Sequence, residues 1–198
     1  MQQRSEETHM TIKETAQRLF ARNGYDATAV AEICNESGVS KGAFYFHFPS
    51  KQAVFLEITN DWMNSLEESF NLTIQSTQDF PQALLQMAEI VGTAFQSMDI
   101  RHTIFLEFWA QARRDPAVWV AVTAPYQRFQ AYFSRLIQQG IQQGTLQPVD
   151  PDEAARTLIS LAIGLLMQAM FDPQATNWGH ETQQSIHLLL DGMIRRTA

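Results

Sequence analysis

Along most of its length this chain repeats apolar residues at spacings of three and four, as helices with one buried face do. Ile12, Ala16, Leu19 and Phe20 make the first such face, on a helix expected from about residue 8 to Asn23. Gly24 follows where a left-handed residue ends a helix. Thr28 is expected to cap a short second helix burying Val30, Ile33 and Cys34, and Gly38 to close it. Ser40 caps a third helix, Lys41 to Phe46, and Pro49-Ser50 breaks and recaps the chain. A long fourth helix then runs from Lys51 to about Ile74 on the stripe Val54, Phe55, Ile58, Trp62 and Leu66.

The remaining segments also read as helices. Pro81 suits the first turn of a fifth, which carries Leu84, Met87, Ala88, Val91 and Phe95. Residues Ile100 to Arg114 form the next, followed by Ala117 to about Gly140, where Pro125 is expected to kink or delay the helix. In Asp150-Pro151-Asp152-Glu153, Asp150 can cap, Pro151 fits the first helical position and Glu153 can reach back. The helix from there to Phe171 is apolar nearly all round, so it must be covered on several sides. A last helix, about His180 to Arg196, shows Ile186, Leu189, Leu190, Met193 and Ile194. No alternating apolar runs are joined by a tight turn, so hairpins are not expected. The expected fold is all-α, with about nine helices.

Composition fits a soluble globular chain: 198 residues, 45% hydrophobic and 18% charged. The single cysteine, Cys34, excludes an internal disulfide and reads as a small apolar filler. Residues 1–7 have no apolar segment behind their charge, and Leu158–Phe171 is shorter than the ~20 residues of a membrane span. A cytoplasmic protein without a membrane partner is therefore expected. The net charge of −7 argues against nucleic acid until its distribution is considered. Residues 1–51 balance six basic against six acidic groups, whereas residues 52–198 hold eight against fifteen. The acidity belongs to the second part and leaves the first free to approach phosphates.

The informative block is Thr28 to Lys51. Two short helices joined by a glycine-containing turn make a helix-turn-helix. Gly42 and Ala43 are small, so the second helix can approach base edges and phosphates closely. Backbone N–H groups at Thr28 and Ser40 favour phosphate oxygens. Tyr45, His47 and Lys51 add donors, and Lys41 can reach a guanine edge or a phosphate. Any of these residues could instead serve the fold: Thr28 and Ser40 as caps, Tyr45 and His47 at the core edge. The block as a unit is what points to DNA.

That block resembles the N-terminal domain of TetR-family repressors, in its Thr28, its Gly38-Val39-Ser40, its Tyr45-Phe46-His47-Phe48 and its Ser50-Lys51. The upstream Ala16, Leu19, Phe20, Gly24 and Tyr25 also match, so the agreement covers residues 12–51. Cys34 and Ser37 stand where Ala is usual, and Phe46 leaves groove contact at its position open. The resemblance implies a DNA-binding domain over 1–51 and a ligand-binding and dimerisation domain over 52–198. It makes Thr28, Ser40, Tyr45, His47 and Lys51 phosphate contacts, and turns Lys41, Gly42 and Ala43 to the bases. It also implies a homodimer formed by the last two long helices, through Leu158, Leu161, Ala162, Leu165, Leu166, Ile186, Leu189, Leu190 and Met193.

Between these regions lies an aromatic-rich segment. Core packing accounts for many of its rings. The functional reading is an effector pocket lined by Phe95, His102, Phe105, Phe108, Trp109, Trp119, Tyr126 and Phe129, suited to a hydrophobic or cationic molecule. None of the five histidines pairs at i,i+4 or lies near Cys34, so no metal or cofactor is expected. No phosphate-binding glycine loop or nucleophile elbow is present. The expected function is a ligand-responsive DNA-binding repressor with operator DNA as partner. The alternatives are a regulator acting through protein partners without an inducer and, more distantly, an enzyme.

Overall fold

The polar start of the chain is helical, although it has no apolar period. In the computed structural model, which describes residues 2–77, 79–96, 116–172 and 174–193, α1 spans Gln2–Asn23. Gln, Arg and Glu are good helix formers, and Gln3 donates to Glu7 one turn on at 3.3 Å. The helix therefore begins six residues before its buried face requires. α2 (Val30–Ser37), α3 (Lys41–His47) and α4 (Lys51–Ser76) follow, then α5 (Phe80–Gln96), α6 (Pro116–Gln142), α7 (Pro151–Phe171) and α8 (Trp178–Asp191). The described residues contain no strand. The helix expected over Ile100–Arg114 lies outside them.

Two compact units divide the chain, with divisions inside α4, between Ser65 and Leu66, and inside α6, between Val122 and Thr123. The first unit holds α1, α2, α3, the start of α4 and the first turns of α6. Its core holds Ile12, Ala16, Leu19 and Phe20 of α1, Ile33 and Cys34 of α2, Phe44 and Phe48, and Val54, Phe55 and Ile58 of α4. Gly38 ends α2 in the left-handed conformation at φ 70°, which sets the turn into α3. The head therefore extends past the expected boundary at residue 51, because the first turns of α4 supply one wall of its core.

In the second unit α5 packs chiefly against α8. Their backbones meet at two glycines: a Cβ on Gly92 would sit 2.9 Å from Cα and O of Gly179. Gly92→Val is therefore expected to force these helices apart and cost about 1–3 kcal/mol, readable by urea denaturation. α6 runs unbroken through Pro125, so the proline neither delays nor ends it. Asp150 caps α7 by accepting from the backbone N–H groups of Asp152 and Glu153, with Pro151 in the first turn, as the sequence predicts. α8 starts two residues earlier than expected, where Asn177 accepts from the His180 N–H at 3.0 Å.

Candidate nucleic-acid interface

α3 is short, and a single anchor determines how it presents itself. Phe44 is fully buried, and Phe48, one turn on, is 2% exposed. Ser40 caps the helix, its Oγ accepting from the Ala43 N–H at 3.1 Å. With Phe44 facing inward, Lys41 and Gly42 are exposed on the outer side. Tyr45 and Phe46 lie one turn beyond them, 54% and 80% exposed. Two neighbouring aromatics are thus left in water on the outer side of α3. A Cβ at Gly42 would meet nothing nearer than Ser40 Oγ at 3.8 Å, so the helix does not need glycine there for packing. Phe46, left open by the sequence, is the most exposed large apolar residue of the described chain.

Two expected phosphate ligands have different surroundings. Thr28 does not cap α2. Ala29 holds the N-cap position without a side-chain bond, because its carbonyl accepts the first helical bonds from Glu32 and Ile33. The Thr28 side chain is buried, and its hydroxyl donates back to the Gly24 carbonyl at 2.7 Å. Lys51 opens α4, where a cation opposes the helix dipole. Its ammonium is turned to the loop after α1 and donates to the carbonyls of Tyr25 at 2.6 Å, Thr28 at 2.9 Å and Asp26 at 3.4 Å. It also stands 4.2 Å from the Tyr25 ring centroid. Burial, with Asp26 adding to it, pushes the Tyr25 phenol up to about 12, so that ring stays neutral beside the lysine. These contacts hold the Lys51 ammonium against the loop after α1.

His47 is half-buried at the end of α3, edge-on to Phe46 and to His9 of α1, with centroids 5.1 and 5.7 Å away. His9 stacks on Phe48 at 4.3 Å and lies 2.6 Å from Glu57 of α4. One turn along, Lys13 donates to Glu57 at 3.2 Å and to Asp61 at 2.6 Å. Burial opposes the Lys13 ammonium, but its hydrogen bonds to Asp61 and Glu57 outweigh this and raise its pKa. α1, the end of α3 and α4 are thus joined by one polar and aromatic network. Nothing in the sequence periodicity marks His9 as part of it.

In the second unit, Phe129 is buried among Phe70, Tyr132 and Phe133. Tyr126 is half-buried, and Trp119, which belongs to the first unit, is 46% exposed, so neither is a plain core residue. The side chains of Phe95, His102, Phe105, Phe108 and Trp109 lie outside the described residues. Among the expected dimer contacts, Leu158, Leu165, Leu166, Ile186, Leu190 and Met193 are buried within the single chain. Leu161, Ala162 and Leu189 are partly exposed. The open side of α7 instead carries Ser160, Gly164 and Phe171, with Leu188 on α8; Phe171 and Leu188 are 78% and 77% exposed.

Residues 12–58 match the sequence profile of bacterial regulatory proteins of the tetR family. Residues 83–194, more than half of the chain, match that of the C-terminal domain of BetI-type transcriptional repressors. The chain belongs to the TetR family. It is a transcriptional regulator with a DNA-binding helix-turn-helix, and α2 and α3 are that motif. Among its relatives, the HTH-type transcriptional regulator YfiR of Bacillus subtilis is 25% identical over 161 residues, 81% of this chain and 78% of its own length. UidR of Escherichia coli is 21% identical over 197 residues, 98% of this chain and 96% of its own. A regulator from Saccharomonospora viridis, solved in complex with choline, superposes with a TM-score of 0.83 at 24% identity, over 96% of this chain and 100% of that one. FadR of Bacillus subtilis, solved with stearoyl-CoA, gives 0.79 at 17%, over 92% and 98%. At these identities the two structures share the fold.

Proposed function

We propose that this TetR-family protein is a homodimeric repressor that leaves its operator when a small effector enters the second unit. The observation that carries the reading is the outward face of α3, where Lys41, Gly42, Tyr45 and Phe46 are exposed together. Lys41, Gly42 and Ala43 approach the bases. Ser40, Tyr45 and His47 serve the phosphates, with Thr28 and Lys51 holding the frame behind them. A dimer places two such helices one DNA turn apart, ~34 Å, in successive major grooves. Selection from a random-sequence DNA pool tests this: an inverted repeat with half-sites about 10 base pairs apart or a multiple of that supports it. An enriched pool without repeated half-sites contradicts it.

The dimer reading rests on α7. This helix is apolar enough to cross a membrane, yet only 28% of its most apolar stretch is buried within the chain. A second copy, meeting it through the open side of α7 and Leu188 of α8, covers that face as the resemblance implies. A Cβ at Gly164 would meet nothing within 4 Å, so the stripe is open to a partner helix. The double variant Phe171→Glu, Leu188→Glu is expected to weaken dimerisation at least ~100-fold, about 2.8 kcal/mol. Sedimentation equilibrium reads this directly; an unchanged dimer places the interface elsewhere.

The effector side draws on the relatives solved with choline and stearoyl-CoA, which support a hydrophobic or cationic small molecule here. α4 supplies residues to both units without interruption. A displacement of its second half would act on the first half, whose Glu57 and Asp61 grip α1. Effector and operator then oppose each other, with a coupling of about 1–3 kcal/mol.

A further inference from the structure

Among the described residues, the Tyr132 hydroxyl is a buried side-chain polar atom without a hydrogen-bond partner. The residue is 6% exposed. Native cores almost always satisfy such a group, and a phenylalanine would fill the same space without the penalty. Its neighbours Phe129 and Phe133 on α6 and Phe70 on α4 are themselves phenylalanines. The rings form a cluster in which Tyr132 meets Phe133 edge-on at 5.4 Å and Phe70 at 6.4 Å.

Two of the charges beside this cluster are matched to each other, while a third, Arg135, is exposed. Glu67 accepts from Arg128 Nε at 2.9 Å. The Arg128 guanidinium also stands 5.9 Å from the Phe129 centroid, the place a ligand cation would take over that ring. Burial, with Glu67 adding to it and Arg135 opposing, holds the Tyr132 phenol above its ordinary value of 10, so at neutral pH it can donate. The cluster therefore holds buried aromatic rings and one unmatched hydroxyl, with Glu67 and Arg128 paired to each other and Arg135 exposed.

We propose that Tyr132 is the polar anchor of an effector site beside Phe70, Phe129 and Phe133, and that the site takes an uncharged aromatic molecule bearing one hydroxyl or carbonyl oxygen. This rests on the reading that the protein responds to a small molecule, and it narrows that reading from hydrophobic or cationic to neutral and aromatic. The ligand's rings extend the cluster, and its oxygen pairs with the hydroxyl that the fold leaves unmatched.

The test is calorimetric titration of the full-length protein and its Tyr132→Phe variant with 2-naphthol, naphthalene and choline. 2-Naphthol is expected to bind the native protein and to bind Tyr132→Phe about tenfold more weakly. Naphthalene, which lacks the oxygen, should bind both equally, and choline should bind neither. Without ligand, Tyr132→Phe should melt about 2–4 °C higher, since an unmatched hydroxyl has been removed. Equal 2-naphthol affinity in the two proteins, no 2-naphthol binding at all, or a lowered melting temperature overturns the anchor. Choline binding that Tyr132→Phe weakens overturns the neutral class. The effector reading is judged separately, by operator release: release by another compound without 2-naphthol binding would overturn the anchor alone.

Discussion

Gly42→Leu is expected to give a protein that is more stable than the native one and unable to hold its operator. Gly42 lies within α3, where glycine is disfavoured by about 0.8–1 kcal/mol relative to a good helix former. The nearest atom to a Cβ there is Ser40 Oγ at 3.8 Å, so the new side chain projects outward without strain. Melting should rise by roughly 2–4 °C. The same side chain would stand between α3 and the groove floor, beside Lys41 and Phe46. Operator affinity should fall at least ~100-fold, about 2.8 kcal/mol. Only a surface glycine kept for close approach gives these opposite signs together. If Gly42→Leu bound the operator normally, the outward face of α3 would not be the reading face.

Lys51→Met should lower both stability and operator affinity while leaving the salt dependence of binding unchanged. The ammonium donates to three loop carbonyls, and charged hydrogen bonds contribute about 1.5–3 kcal/mol each in favourable cases. Shared among three partners on a half-buried side chain, a loss of about 2–3 kcal/mol in urea denaturation is expected. The loop it holds includes the backbone of Thr28, just before α2, so operator affinity falls with the loss of order. A phosphate contact would behave differently, because each one adds about 0.9 to the slope of log K against log salt. Lys41, exposed on α3 beside the bases, is also within reach of a phosphate, so Lys41→Ala should reduce that slope by about this amount and Lys51→Met should not. Equal reductions in the two variants would return Lys51 to the phosphates.

These two residues also show what the sequence discloses and what it withholds. Periodicity places the buried face of α1, Ile12, Ala16, Leu19 and Phe20, and that of the first turns of α4, Val54, Phe55 and Ile58; farther along, Trp62 and Leu66 of the expected stripe are only half-buried, and Phe70, which it does not include, is core. Ser40, Asp150 and Pro151 were legible because capping depends on a few adjacent positions. Thr28 lies one residue before the N-cap: its hydroxyl donates back to the Gly24 carbonyl in place of accepting from the start of α2, a choice that a one-dimensional reading does not weigh. The direction of the Lys51 ammonium depends on the return of the loop after α1, a contact across 26 residues. The all-round apolarity of α7 implied cover on several sides but could not say which side faces its own chain. Leu158, Leu165 and Leu166 turn inward, while Gly164 and Phe171 do not. The boundary at residue 51 followed the motif, whereas the head's core needs the next turns of α4 as well.

The central claim is that one chain binds a two-fold operator through α3 and releases it when an effector occupies the second unit. Fluorescence anisotropy on the selected operator, with and without a panel of neutral aromatic, aliphatic and cationic compounds, tests it most directly. Tight, steeply salt-dependent binding is expected, which Gly42→Leu loses and which at least one compound weakens about fivefold or more, the lower end of a 1–3 kcal/mol coupling. Selective binding that no compound alters would contradict the effector half and favour a regulator acting through protein partners. Binding that is insensitive to salt and to Gly42→Leu would contradict the whole.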